Sequence, residues 1–190
     1  MGRKKSLTQS ELFQATGELI RSDGIYGVHF KKLSEKLGVG RSTLYEYYRN
    51  KEQLITAYLR SVMDEMNQRI ESIPSDLIPN KKLKSLLFTL LDHAQIHQVE
   101  RMIRDIQTSD KELASYYQSQ LSEAHERTYS IILKWINEAK SADLWSGSVD
   151  SELIADIIFH SILYPHKHQI GTEAMTDQLM HLLENGAARR

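Results

Sequence analysis

Apolar residues recur at helical spacing through most of the 190-residue chain. Between Thr8 and Ser22 they fall at Leu12, Phe13, Leu19 and Ile20, which predicts a first amphipathic helix of about four turns, and Asp23-Gly24 supplies a stop. Phe30, Leu33 and Leu37 stand at i, i+3 and i+7, so FKKLSEKL predicts a short second helix with Lys31, Lys32 and Lys36 off its apolar face. After Gly38-Val39-Gly40 the pattern restarts with Leu44 and Tyr48 at i, i+4. Two short helices about a Gly-containing turn, all within about 20 residues, are the sequence form of a helix-turn-helix, here with its helices at about 30–37 and 41–48. Gly38 can take a positive φ to close the turn, Val39 is an apolar plug, and Gly40 occupies an N-cap position.

A longer helix is predicted from Lys51 to Glu71, with Leu54, Tyr58, Val62, Met66 and Ile70 as its stripe. Pro74 and Pro79 follow and mark the expected loop between two parts of the chain. Beyond them Leu83 to His97, Glu100 to Gln107 and Lys111 to Lys140 read as helices. Asp150 to Tyr164 carries Leu153, Ile154, Ile157, Ile158, Phe159, Ile162 and Leu163, apolar on more than one side. Such a helix needs covering twice, by its own core and by a partner subunit, and Ile154, Ile158 and Ile162 are the positions assigned to the partner. A last helix is expected from Glu173 to Glu184, with Thr172 as its cap and Asn185-Gly186 as its stop. The chain is therefore expected to be all-α, with domains at 6–66 and 75–186.

Composition supports a helical globular protein: 41% of residues are hydrophobic and 26% charged, with only three prolines and nine glycines. The absence of cysteine excludes a disulfide framework, a thiolate zinc site and a Cys nucleophile, and fits a reducing cytoplasm. No run of about 18 apolar residues occurs, so no membrane partner is expected. The net charge of −1 hides an asymmetry. Residues 1–60 hold 11 Lys/Arg against 6 Asp/Glu, net +5, and the remainder holds 13 against 19, net −6. A basic N-terminal third is the footprint of a nucleic-acid-binding segment. Eight histidines raise the question of metal. His93 and His97 share a helix face at i, i+4, and His166 and His168 flank a lysine. No HExxH accompanies them, and pocket or surface histidines are the simpler reading, with no metal and no cofactor. No paired-carboxylate, Gly-rich or triad arrangement stands out, so no enzyme activity is expected.

The runs LFQATGELIRSDG and FKKLSEKLGVGRSTLYEYYRNKEQL resemble the tetracycline-repressor (TetR) family of transcriptional regulators. That family's pattern is a first helix ending at Gly, then I-A-x-x-x-G-V-S-x-x-T-L-Y-x-[HY]-F-x-x-K-x-x-L, and about residues 10–55 carry the match. The resemblance implies an all-α homodimer. Its N-terminal three-helix helix-turn-helix domain would bind DNA, and its larger C-terminal helical domain would bind an effector and dimerise. The chain departs from the pattern at Val28-His29 and at Gly40, where the family has capping hydroxyls near helix starts. Gly40 still leaves backbone N–H groups open to phosphate, and His29 can donate through its ring.

The start of the motif's second helix reads DNA, which places Arg41, Ser42 and Thr43 at the groove. Arg41 can serve as a bidentate guanine contact or as a phosphate clamp. Thr43 can pack its methyl on thymine or donate to phosphate. Leu44 and Tyr48 share a face and belong to the small domain's core, and Tyr45 lies about 100° away. By the resemblance, Tyr45, Tyr47 and Lys51 meet the DNA backbone. The expected partners are a double-stranded operator, a second copy of the chain, and a small-molecule effector held near His97, Met102, Tyr129 and Trp135. The competing readings are a helical enzyme or small-molecule-binding protein whose motif no longer reads DNA, which a genomic binding screen without an enriched palindrome would favour, and a sequence-tolerant architectural DNA binder, which the ratio of specific to non-specific affinity at fixed salt distinguishes.

Overall fold

The computed structural model describes residues 7–92, 111–161 and 170–187, and every long element among them is an α-helix. These are α1 (Gln9–Asp23), α2 (Phe30–Leu37), α3 (Arg41–Tyr47), α4 (Lys51–Glu71), α5 (Pro79–Asp92), α6 (Lys111–Ser141), α7 (Ser151–His160) and α8 (Thr172–Ala187), with a 3-10 turn at Ile25–Gly27 after α1. The expected helix from Glu100 to Gln107 lies outside the described residues.

The chain divides into two compact units, Met1–Ser61 with Met102–Gln120, and Val62–Arg101 with Leu121–Arg190. Both divisions fall inside helices, α4 and α6, and the loop holding Pro74 lies wholly in the second unit. Helix α4 carries on through the division because its apolar stripe does: Leu54, Tyr58, Val62, Met66 and Ile70 are all buried. Pro79, expected in the loop, is instead the first residue of α5. That position suits it, because the first helical N–H has no partner to lose.

In the first unit the chain enters α1 through a capping box. The Thr8 hydroxyl accepts from the Glu11 N–H at 3.2 Å, and the Glu11 carboxylate accepts from the Thr8 N–H at 2.9 Å. Leu12, Leu19 and Ile20 go into the core, joined by Ile25, Val28, Phe30, Leu33 and Leu44. Helix α1 packs on α2, and α2 on α3. Gly38 ends α2 at φ 67° and ψ 33°, the left-handed conformation that a side chain rarely takes, and the Val39 N–H returns to the Ser34 carbonyl at 3.1 Å. That turn sets α3 against α2.

The second unit is built on α5 against α8, with the last turns of α4, most of α6, and α7. Leu83, Leu86, Leu87, Leu90 and Leu91 make α5 a leucine ridge, and Ile132, Ile136, Trp145, Ile154 and Ile158 complete the core. Asp150 caps α7, accepting from the Leu153 N–H at 3.0 Å. Helix α8 starts at Thr172 itself and runs through Asn185-Gly186 to Ala187, past the expected stop. The Asn185 side chain donates to the His181 carbonyl at 2.7 Å and so supports the helix where it was expected to end.

Candidate DNA-binding interface

Helix α3 is oriented by what it buries. Leu44 is fully buried and Thr43 is 9% exposed, while Arg41, Ser42, Tyr45 and Glu46 point outward. Tyr45 is 58% exposed, yet its ring is held by the edge of Phe30 with centroids 4.8 Å apart. The phenol is thus presented on a fixed arm, which lowers the entropy lost on making a contact. Neither helix of the motif carries a side-chain cap: His29 precedes α2 and Gly40 precedes α3, each with extended backbone. Their first N–H groups are left to solvent or to an anionic oxygen. Gly40 has an ordinary φ of −71°, and a Cβ there would meet only Ser42 Oγ at 3.4 Å. Nothing in the backbone therefore requires glycine at that position.

Helix α4 begins at Lys51 behind Asn50, whose side chain accepts from the Gln53 N–H at 2.9 Å. Lys51 is partly exposed and lies 4.0 Å from the Glu52 carboxylate, at the limit of an ion pair. The lysines of α2 are more committed. Lys36 pairs with Glu18 at 2.7 Å and Lys32 with Asp23 at 2.9 Å, joining α2 to α1. The bonds from Lys36 and Lys32 hold the Glu18 and Asp23 carboxyls below their ordinary values. Two of the three lysines counted toward the basic field are thereby neutralised locally.

The three tyrosines take three different environments. Tyr45 faces out. Tyr48 ends α3 half-buried, with its ring 6.4 Å from Phe13 and its hydroxyl accepting from Gln9 Nε2 at 3.1 Å. Tyr47 is 41% exposed, but its hydroxyl donates to the Leu7 carbonyl, in the residue just before the α1 cap. The roles of Phe30, Leu7 and Gln9 were not legible in the sequence, since each depends on a pairing between distant segments.

Of the residues assigned to an effector, His97 and Met102 lie outside the described residues, as do His93, His166 and His168. Trp135 is 8% exposed. The Tyr129 hydroxyl bonds to Asp156 Oδ1 at 3.0 Å, and its ring meets Phe159 edge-on at 5.9 Å. An open cleft of about 490 Å³ is lined by Asp177, Gln178, His181 and Leu182 of α8, none of them among the assigned residues. The residues assigned to a partner subunit need correcting. Ile154 and Ile158 are each 1% exposed, buried in the second unit's own core, and Ile162 lies outside the described residues. The apolar residues that α7 leaves outward are Leu153, 54% exposed, and Ile157, 45% exposed. Among the described residues no helix is long and apolar enough to cross a membrane, and no group of three or more His, Cys, Asp or Glu could hold a metal ion.

Two short helices about a left-handed glycine, the second presenting arginine, hydroxyl and phenol to solvent, define a helix-turn-helix DNA-binding protein. Residues 12–58 match the family model described as bacterial regulatory proteins, tetR family. The helix-turn-helix segment is therefore that of a tetR-family transcriptional regulator. It is 25% identical to the HTH-type transcriptional regulator YvaF of Bacillus subtilis (strain 168) over 186 residues, 90% of each chain. It is 29% identical over 116 residues to the class A tetracycline repressor protein from transposon 1721 of Escherichia coli, covering 56% of this chain and 53% of that one. In fold it is similar to the transcriptional regulator FadR from Bacillus subtilis, solved in complex with stearoyl-CoA. That match has a TM-score of 0.76 at 20% identity and covers 94% of this chain and 99% of that one.

Proposed function

We propose that this regulator is a ligand-responsive repressor, a homodimer that holds a pseudo-palindromic operator and releases it when a small-molecule effector binds. In this reading residues 6–66 form the DNA-binding domain, residues 75–186 hold the effector and the dimer contacts, and the protein works in the cytoplasm, where its operator lies. The observation that carries it is the outward row of Arg41, Ser42 and Tyr45 on a helix whose other side is buried. Arg41 and Ser42 enter the major groove, and Tyr45, His29, Lys51 and the N–H groups after Gly40 hold phosphates on either side. Thr43, nearly buried, sets the helix more than it reads bases. Two such helices related by a two-fold axis reach successive major grooves about 34 to 36 Å apart.

The fold it shares with a regulator solved with an acyl-CoA supports a small-molecule effector. Tyr129 and Trp135 on α6, with His97 and Met102, are the residues we assign to it. Outward Leu153 and Ile157 on α7 support a second copy as the dimer partner, since contiguous exposed apolar residues mark interfaces. Helix α4 belongs to both units, so an effector that prefers one position of its last turns shifts the population of the DNA-binding form. A preference of a few kcal/mol is enough.

Recovery of bound sequences from fragmented genomic DNA is expected to return an enriched palindrome. Titrations of that duplex at several salt concentrations should then weaken steeply, and Lys51→Ala should flatten the slope by about one unit. No enriched palindrome from a folded protein overturns the reading. An unflattened slope removes Lys51 from the phosphate contacts.

A further inference from the structure

Helix α6, like α4, belongs to both compact units. Its residues Lys111–Gln120 group with the helix-turn-helix, and from Leu121 onward it lies in the second unit. An apolar row runs across that division: Ala114, Tyr117 and Leu121, at i, i+3 and i+7, are all buried. Tyr117 is among the largest side chains that the protein buries completely. Its ring lies edge-on to that of Tyr116, with centroids 5.5 Å apart, while Tyr116 itself reaches solvent.

The surroundings of Tyr117 show in what acts on its phenol. Burial, the Glu52 carboxylate and the phenols of Tyr116 and Tyr26, in that order, push it above its ordinary value. Glu52 is the second residue of α4, and Tyr26 is the middle of the 3-10 turn that leads to His29 and α2. Both belong to the same unit as Tyr117. One side chain of α6 is thus seated beside the two stretches that carry Lys51 and His29.

The same helix holds α4 again further along. Ala124 and Thr128 bond to Asn67, and Arg127 to Glu71. These points stand about 10 to 17 Å beyond Tyr117 along α6, at about 1.5 Å per residue. The 31 residues of α6 include neither proline nor glycine, the usual causes of a kink. A displacement of α6 at Thr128 is therefore passed on to Tyr117 instead of being absorbed between them.

We propose that Tyr117 is a positioning residue for DNA binding: seated beside Glu52 and Tyr26, it makes α6 a stiff lever that sets the start of α4, with Lys51, and the turn before His29. The inference rests on the proposed operator-binding function and adds to it a second path, beside α4, by which an effector reaches the phosphate contacts. Coupling of this kind is reciprocal, so operator binding is felt at α6 as strongly as α6 is felt at the DNA. The coupling is thereby measurable with DNA as the only ligand.

The test uses the full-length protein and its recovered operator duplex. In peptide-resolved hydrogen exchange, the duplex should slow the amides of Lys111–Gln120, none of which is assigned to DNA. Tyr117→Leu keeps an apolar side chain but loses the ring. It should abolish that slowing and weaken operator binding several-fold while the protein stays helical by circular dichroism. Because Tyr117 acts through Lys51, its loss should shrink in a Lys51→Ala background. A merely structural role would lower the melting temperature and leave the exchange response in place. The proposal is overturned by an absent response in the unmutated chain, by a response retained in folded Tyr117→Leu, or by losses that add in full. If Tyr117→Leu fails to fold, Tyr117→Met is read in the same way. A protein that binds its operator no better than random duplex brings down the regulatory reading and this proposal together. Lys51→Ala flattening the salt slope while Tyr117→Leu leaves affinity and exchange unmoved brings down this proposal alone.

Discussion

Gly17 stands in the interior of α1, where glycine costs a helix about 1 kcal/mol relative to alanine. The reason it is there is Tyr58. A Cβ at Gly17 would lie 2.5 Å from the Tyr58 hydroxyl oxygen and 2.9 Å from Cζ, and Tyr58 is buried with its ring edge-on to Phe13 at 6.1 Å. Burial also pushes the Tyr58 phenol up from its ordinary value, so it stays neutral there. Gly17→Ala gains about 1 kcal/mol of helix propensity but overpacks the site at a cost of about 1 to 3 kcal/mol, and a net loss is expected. Thermal unfolding checks it: the melting temperature should fall, and fall less in a Tyr58→Phe background, where the nearest clashing atom is gone. Leu12, Leu19 and Ile20 were legible as core because burial follows a period within one helix. Gly17, and likewise Tyr47 with Leu7, were not, because the constraint arrives from a residue far along the chain and leaves no local pattern.

Helix α4 meets α6 inside the second unit through two polar contacts of opposite character. Asn67 is fully buried and its amide donates to the Ala124 carbonyl at 3.2 Å, while the Thr128 hydroxyl, also buried, donates to Asn67 Oδ1 at 2.5 Å. One turn on, Arg127 grips the Glu71 carboxylate with Nε at 2.5 Å and a second nitrogen at 2.6 Å, but both side chains stand in water. Burial decides which contact matters. Asn67→Ala removes a side-chain donor from the Ala124 carbonyl and the acceptor of the buried Thr128 hydroxyl, and opens a space, which is expected to cost about 1 to 3 kcal/mol, whereas the Arg127 pair is screened by solvent and its loss should be small. Denaturant midpoints should therefore drop for Asn67→Ala and stay nearly unmoved for Arg127→Ala; the reverse order would show that the bidentate pair, not the buried amide, holds α4. The apolar stripe and length of α4 were legible in advance, since Leu54 to Ile70 keep one period throughout. The role of Asn67 was not legible, because a polar residue on a helix reads as solvated until a facing helix supplies its partners.

For the whole molecule, the all-α fold was legible from periodicity, and the DNA-binding unit from a motif whose glycine, leucine and tyrosine spacing is itself a geometry. The outward face of α7 lies one position from the expected one. DSELIADIIFHSILY offers two interleaved apolar rows, Leu153 with Ile157 and Ile154 with Ile158, and period alone does not say which faces the core. The structure puts the second row inside at 1% exposure each and leaves the first outside at 54% and 45%. If α7 is the dimer surface we propose, the two rows give opposite failures. Ile157→Glu sets a charge on the outward row: it should leave the fold of the protomer intact, since an exposed substitution moves stability by about 0.5 kcal/mol or less, while desolvating that charge opposes association. Ile158→Glu buries an unpaired carboxylate in the core and should cost more than about 3 kcal/mol, unfolding the unit before any question of assembly arises. Light scattering read beside circular dichroism separates the cases: a helical monomer for Ile157→Glu, lost helicity for Ile158→Glu, and a dimer for the unmutated chain. A dimer that survives Ile157→Glu and Leu153→Glu together would move the interface off α7. The outward Leu182 of α8, 67% exposed, would then be the next position to test.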